Sequence, residues 1–290
     1  MREATVTLMR AAKEVGTTLL IVGHVNKDAA IAGPKTLEHL VDAVFLLEGE
    51  RNGWLRLLRA TKNRFGATNE VGVFDMTDAG MVGVADATPL LREGGEAFGR
   101  VAAPIIEGTR PLLVEVQALV SRATYSSPRR VALGVTERRL SMLLAVLERY
   151  ASIDTSTHDV YVGISSGITV SEPAIDAAIA VAIASSYWST PVPVEMAVVG
   201  VVGLGGEMRQ VRSLVARGKE AARSGITVLL APAAGSPKIE VPRLMVARDL
   251  ASALSAMGVL RPAGAEPVPG NRVPPSWAWK NRKSGADEEE

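Results

Sequence analysis

The stretch "RLLRATKNRFGATNEVGVF", Arg56 to Phe74, sets apolar residues beside a cluster of cations and breaks at a glycine. Its flanks, "WLRLLRA" (54–60) and "EVGVFDM" (70–76), read as strands. From Arg51 to Arg64 there are five basic residues, Arg51, Arg56, Arg59, Lys62 and Arg64, and no acid. Lys62 and Arg64 stand at a strand end where Gly66 permits a sharp turn. An ammonium and a guanidinium placed there suit phosphate, the first as a point charge and the second by paired hydrogen bonds. A solvated basic edge that discourages aggregation fits the same residues.

Upstream, residues 3–15 carry Val6, Met9, Ala12 and Val15 at helical spacing, with Gly16 as a C-cap. The apolar run Leu19–Val22 follows and reads as a parallel strand buried on both faces. Another short run, "AVFLL" (43–47), reads as a strand of edge or antiparallel type. A sheet of this kind normally begins with a strand, whereas this chain begins with a helix. Residues 1–84 therefore read either as the second half of a larger α/β domain or as a small α+β domain complete in itself. "VGHVNKDAAIAGPKTLEH" follows the buried run, so His24 and Lys27 would lie beyond a strand's carboxyl end, where open sheets bind ligands. An ordinary connecting loop fits as well.

Residues 85–100 are rich in Gly, Ala and charge and read as a linker. Beyond it the pattern is regular. Strands are expected at 110–121, 159–164, 194–202 and 226–232. Helices are expected at 136–150, with Leu140, Leu143, Leu144 and Leu147 on one face, and at 172–188, 211–225 and 247–258. The 172–188 segment is apolar on nearly all sides and built of small residues, which predicts burial. Residues 263–290 turn to Pro, Gly and charge and read as a disordered tail.

Composition narrows the class. The 290 residues are 47% hydrophobic but only 4% aromatic, which favours aliphatic α/β layers. Lys and Arg number 32 against 31 Asp and Glu, so overall charge points to no partner. There is no cysteine, which excludes disulfides and thiolate metal sites and fits a reducing cytoplasm. Three scattered histidines, His24, His39 and His158, make no zinc site. No run of 18 apolar residues exists to span a membrane, and no G-x-x-x-x-G-K-[ST] loop cradles a nucleotide.

"VGHVNKDAAIAGPKTLEHLVDAVFLLEGER", the motif Lys62-Asn63-Arg64-Phe65-Gly66 and "EGTRPLLVEVQALVS" (107–121) together resemble the bacterial DNA-recombination family RadA, also called Sms. The resemblance runs over about residues 1–262. It implies an α/β chain in which 1–84 is the C-terminal part of a RecA-like ATPase core and 101–262 a Lon-protease-like α+β domain. In that family a four-cysteine zinc finger, Walker A and Walker B come first. Here they would precede residue 1, so the chain alone is not expected to bind or hydrolyse ATP with Mg. The resemblance further implies DNA as partner, the recombinase RecA as a second partner, a hexameric ring and branch migration.

Residue roles follow from the same resemblance. Lys62 and Arg64 would reach a neighbouring subunit's nucleotide, or DNA. Lys27 and Lys35 would lie in a DNA-facing loop. In the Lon-like half the peptidase pair is missing: Ala174 stands at the serine position and Val215 at the lysine position, with Arg217 nearby. A displaced nucleophile, Ser165 or Ser166, is the remaining route to peptidase activity. Arg209, Arg212, Arg217, Lys219 and Arg223, opposed only by Glu220, give a basic helix suited to DNA, notably through Arg212, Arg217 and Lys219. A plain solvated face, or a non-enzymatic oligomeric scaffold, is the alternative.

Overall fold

The computed structural model describes residues 2–23, 38–49, 55–68, 70–84, 97–125, 127–165, 168–233 and 243–259. It is an α/β chain of two compact units. One is Met1–Ala85 with Glu107–Arg110; the other is Asp86–Ile106 with Pro111–Glu290. Lys27, Lys35, Ser166, most of the stretch read as a linker and the 263–290 tail lie outside the described residues.

The first unit opens with α1 (Arg2–Glu14). Gly16 closes it at φ +67°, and Thr17 N donates to Ala12 O at 2.9 Å. This is the expected left-handed C-cap, which glycine adopts without a Cβ clash. The run Leu19–Val22 is not the expected buried strand. It forms no regular structure, and Leu20 and Val22 are 81% and 85% exposed. Apolar content alone does not make a strand; a strand needs a pairing edge. None of the described strands pairs with this run.

The unit's sheet is instead an antiparallel meander, β1 (Ala43–Glu48), β2 (Leu55–Asn63), β3 (Val71–Thr77) and β4 (Gly80–Gly83), in that order. Leu57 pairs with Val73, and both are buried. Successive residues point to opposite faces, so Phe45, Leu47, Met76 and Met81 fall on the other side and stay exposed. A bulge between Val44 and Phe45 shifts the β1 register next to Lys62.

The second unit is built on a seven-stranded mixed sheet, ordered β13-β12-β9-β5-β6-β8-β7. β5 (Arg100–Glu107) and β6 (Arg110–Arg122) form a hairpin at its centre. β7 (Arg130–Leu133) runs parallel to β8 (His158–Ile164), which is antiparallel to β6. β9 (Met196–Val198), β12 (Val228–Pro232) and β13 (Arg243–Ala247) are mutually parallel. β5 begins inside the stretch read as linker. Gly99, just before it, has φ +77°, and a Cβ there would sit 2.1 Å from Ala118 O, so only glycine fits.

α2 (Glu137–Ala151) starts at the N-cap Thr136, whose side chain accepts from Arg139 N, and buries the four leucines expected on its inner face. α3 (Asp176–Trp188) is buried at every residue but Tyr187. Small residues let it pack closely against both α2 and α5 (Leu250–Ala256). Its two buried serines are satisfied: Ser185 Oγ accepts from Gly99 N and Ser186 Oγ from Val120 N, each at 2.8 Å. The expected 194–202 strand divides. After β9, Gly200 N turns to Ala174 O at 2.8 Å, and the chain enters a separate two-stranded sheet of β10 (Val201–Val202) and β11 (Met208–Arg209). α4 (Leu214–Arg223) packs Ala221 and Leu214 on a cluster with Ala102, Leu113, Val199 and Leu229.

Candidate nucleic-acid interface

In the first unit, Lys62 and Arg64 lie where expected, at the end of β2. Their environments differ. Lys62 Nζ donates to Glu38 O at 2.7 Å and Val41 O at 2.8 Å. The ammonium thus clamps the 38–42 turn onto the strand end and commits two of its three N–H donors to main-chain carbonyls. Arg64 is tied to the same turn by its backbone, whose N donates to Asp42 O at 2.9 Å. Its side chain projects outward, 61% exposed, with Nη1 at 3.2 Å from Asp42 Oδ1. An exposed pair of this kind contributes only about 0–1 kcal/mol, so Arg64 remains open to a stronger anion.

The rest of the motif shapes the turn. Asn63 Oδ1 accepts from Phe65 N at 3.2 Å, and its amide donates to Ala67 O at 3.4 Å. A Cβ on Gly66 would lie 2.8 Å from that amide nitrogen. Glycine lets the amide close over the turn. Phe65 is left 86% exposed at its tip. The basic residues that remain on β2 are not all available. Arg59 Nε meets Glu48 Oε2 at 2.5 Å, and its Nη1 also bonds Glu107.

In the second unit the expected basic helix divides: Arg217, Lys219 and Arg223 lie on α4, whereas Arg209 ends β11 and Arg212 precedes the helix. Arg212 and Lys219 are exposed, as are Arg209 and Arg223. Arg209 pairs with Glu207 at 2.5 Å and Arg223 with Glu220 at 3.0 Å. Arg217, expected on the DNA-facing side, is corrected to the interior. Its side chain is 2% exposed; Nη1 and Nη2 hold the two carboxylate oxygens of Glu172 at 2.9 and 2.6 Å. Nη1 also donates to Pro104 O at 2.7 Å and Nε to Arg212 O at 2.9 Å. Helical spacing placed Arg217 near its basic neighbours in sequence, but it points to the packed side with Ala221. A half-buried acid, Glu172, 45 residues away in sequence, was the signal that could not be read locally.

The segment ahead of α3 is held from two sides. Arg139, from α2, donates to Glu172 O at 2.9 Å and Ser171 O at 3.3 Å. Its Nε lies 3.2 Å from Asp176 Oδ1 without hydrogen-bond alignment, and Val202 N donates to Asp176 Oδ2 at 3.4 Å. Burial raises the Asp176 pKa to about 6, against the opposing pull of Arg139. Ala174, in the 3-10 turn Pro173–Ile175, is buried and carries no nucleophile, while Val215 faces outward on α4. Ser165 Oγ accepts from Glu115 N at 3.2 Å, a contact that fastens its loop to β6. No group of acids or histidines that could hold a metal occurs among the described residues. No helix of these residues is long and apolar enough to cross a membrane.

No family model matches the chain. Individual relatives do. It is 46% identical over 262 residues to the DNA repair protein RadA of Pseudomonas aeruginosa, covering 89% of this chain and 58% of that protein. Against the DNA repair protein RadA of Bacillus subtilis it is 45% identical over 237 residues, 81% of this chain and 52% of that one. Against its Salmonella typhimurium counterpart the figures are 43% over 259 residues, 88% and 56%. The chain spans about half the length of the curated relatives it matches. The resemblance carried by KNRFG and its neighbours is borne out at this level.

Proposed function

We propose, from the chain's relationship to the RadA proteins over the length they share, that it serves DNA repair by homologous recombination and does so by holding nucleic-acid phosphate at the 62–66 turn. The observation that carries this reading is the exposed Arg64 guanidinium, set at a strand end and countered only weakly by Asp42. Arg212 and Lys219 are the second set of candidate contacts. In this reading the first unit is the later part of a RecA-like ATPase core and the second a Lon-like domain without peptidase activity. Hexameric assembly, branch migration and partnership with RecA extend the same reading.

ATP with Mg is the cofactor that the relationship implies. Of the motif's two cations, Arg64 fits a contact to a neighbour's triphosphate, because its guanidinium reaches solvent. Lys62 fits less well, since its ammonium is already bound to two carbonyls. Bound nucleotide would supply the energy for movement along DNA. This chain's part would be to sense it through Arg64.

A non-enzymatic, oligomeric Lon-like scaffold is the second reading, favoured by the buried Ala174 and by the Arg217–Glu172 pair beside it. The two are separated by titrating single-stranded DNA with the chain at two salt concentrations. Phosphate binding predicts a steep fall in affinity with salt through counterion release. Arg64→Ala should weaken binding by about 1–2 kcal/mol, irrespective of base sequence. A flat salt response with no effect of Arg64→Ala would leave the scaffold reading.

A further inference from the structure

Phe65 is the most exposed of the large apolar side chains described, at 86%. Burying a phenyl ring is favourable, so a ring left in water has given up that gain. It is also held there. The turn that carries it is fixed by Lys62 on the carbonyls of Glu38 and Val41, by Arg64 N on Asp42 O and by the Asn63 side chain bridging Phe65 N and Ala67 O. Gly66 leaves space for that bridge. The next residue back, Arg64, turns its guanidinium to solvent. A cation and a bare aromatic face thus occupy consecutive residues on one built turn.

One nucleotide presents the matching pair of groups, a phosphate and a base. Aromatic side chains stack on bases of any identity, but only on bases whose faces are free. A duplex offers its phosphates and hides those faces. We propose that Phe65 is a base-stacking platform that makes this turn select single-stranded over double-stranded nucleic acid. The inference rests on the reading that Arg64 holds a phosphate. A protein contact is the competing use of an exposed ring, since aromatic and arginine side chains suit both partners; an excess of cations favours a polyanion. Here the ring sits in a stretch with five basic residues and no acid between Arg51 and Arg64.

The test is a titration of the 290-residue chain with a labelled single strand of mixed sequence and with a duplex of the same length. Four proteins are compared: the parent, Phe65→Ala, Phe65→Trp and Arg64→Ala. All three substitutions are at exposed positions, and circular dichroism checks that each folds. Phe65→Ala should weaken single-strand binding about tenfold, from a stacking contribution of roughly 1–3 kcal/mol per base, and leave duplex binding unchanged. Phe65→Trp should retain the affinity and show fluorescence quenching by the single strand beyond that of the parent. Arg64→Ala should weaken single strand and duplex by similar factors. If Arg64→Ala weakens binding and Phe65→Ala does not, or if Phe65→Ala weakens both substrates equally, the stacking role is overturned while the phosphate reading stands. If neither substitution matters, the phosphate reading falls first. A change in oligomeric state in Phe65→Ala at unchanged single-strand affinity would assign the ring to a protein contact and overturn the proposal.

Discussion

Arg217 grips Glu172 through both of its terminal nitrogens, at 2.9 and 2.6 Å, in the interior of the second unit. The same guanidinium bonds the carbonyls of Pro104 and Arg212, and Glu172 Oε1 accepts from Ile106 N at 2.7 Å. One arginine therefore joins α4, β5 and the segment ahead of α3.

Removing one member of such a pair strands the other. Arg217→Met should lower the stability of the second unit by about 3 kcal/mol, the low end for broken buried pairs because Glu172 keeps some contact with solvent. The double variant Arg217→Met, Glu172→Gln should recover much of that loss. Urea unfolding followed by circular dichroism measures both. A single-variant loss below about 1 kcal/mol would show that water replaces the guanidinium.

Lys62 and Arg64 should separate experimentally. Lys62→Ala removes two charge-assisted bonds that clamp the 38–42 turn, costing about 2 kcal/mol in the first unit. Arg64→Ala breaks only an exposed pair and should change stability by about 0.5 kcal/mol or less. Proteolytic susceptibility of the first unit reports the difference: faster cleavage in the lysine variant, parental cleavage in the arginine variant. Equal rates would mean that the two cations share one role.

Asp42 competes with any phosphate for Arg64. Asp42→Asn should therefore tighten single-strand binding by about threefold, within the range of an exposed ion pair, and more at low salt than at high. Weaker binding in Asp42→Asn would mean that the carboxylate orients the guanidinium rather than occupying it.

Asp176 makes the second unit sensitive to pH. Its folded pKa is raised from 3.8 to about 6, so the folded state holds the proton more tightly than the unfolded chain. Protons bound in excess by the folded form mean that stability falls as pH rises from about 4 to 6, and the cost is fully present above that. At roughly 1.4 kcal/mol per unit it amounts to about 3 kcal/mol. Asp176→Asn resembles the protonated acid and should flatten the dependence. Urea midpoints at intervals from pH 4 to pH 7 test this; a parental midpoint that rises over the window would refute it.

Local pattern carried much of the second unit. The leucine spacing of α2 was enough to place that helix and the face it buries, and the small-residue composition of α3 to place it as buried on nearly all sides. β4, β7 and β11, each shorter than five residues, offered too few alternations to be seen. The 194–202 run read as one strand because Gly200 gives no local sign that it will pair with Ala174. At the candidate interface, charge and the glycine located the turn but not which cation would be free. That depended on carbonyls at Glu38 and Val41, about 20 residues away in sequence. Arg217 misled for the same reason, its partner being remote. Leu19–Val22 had the composition of a strand without a partner among the described strands.

A helix with no outward side, as α3 is at all positions but Tyr187, can be reached by solvent hydrogen only when its surroundings come apart. Its amides are thus an internal clock for the opening of the second unit. Exchange there reports that event alone, whatever ligand or neighbour engages the Arg64 turn in the first.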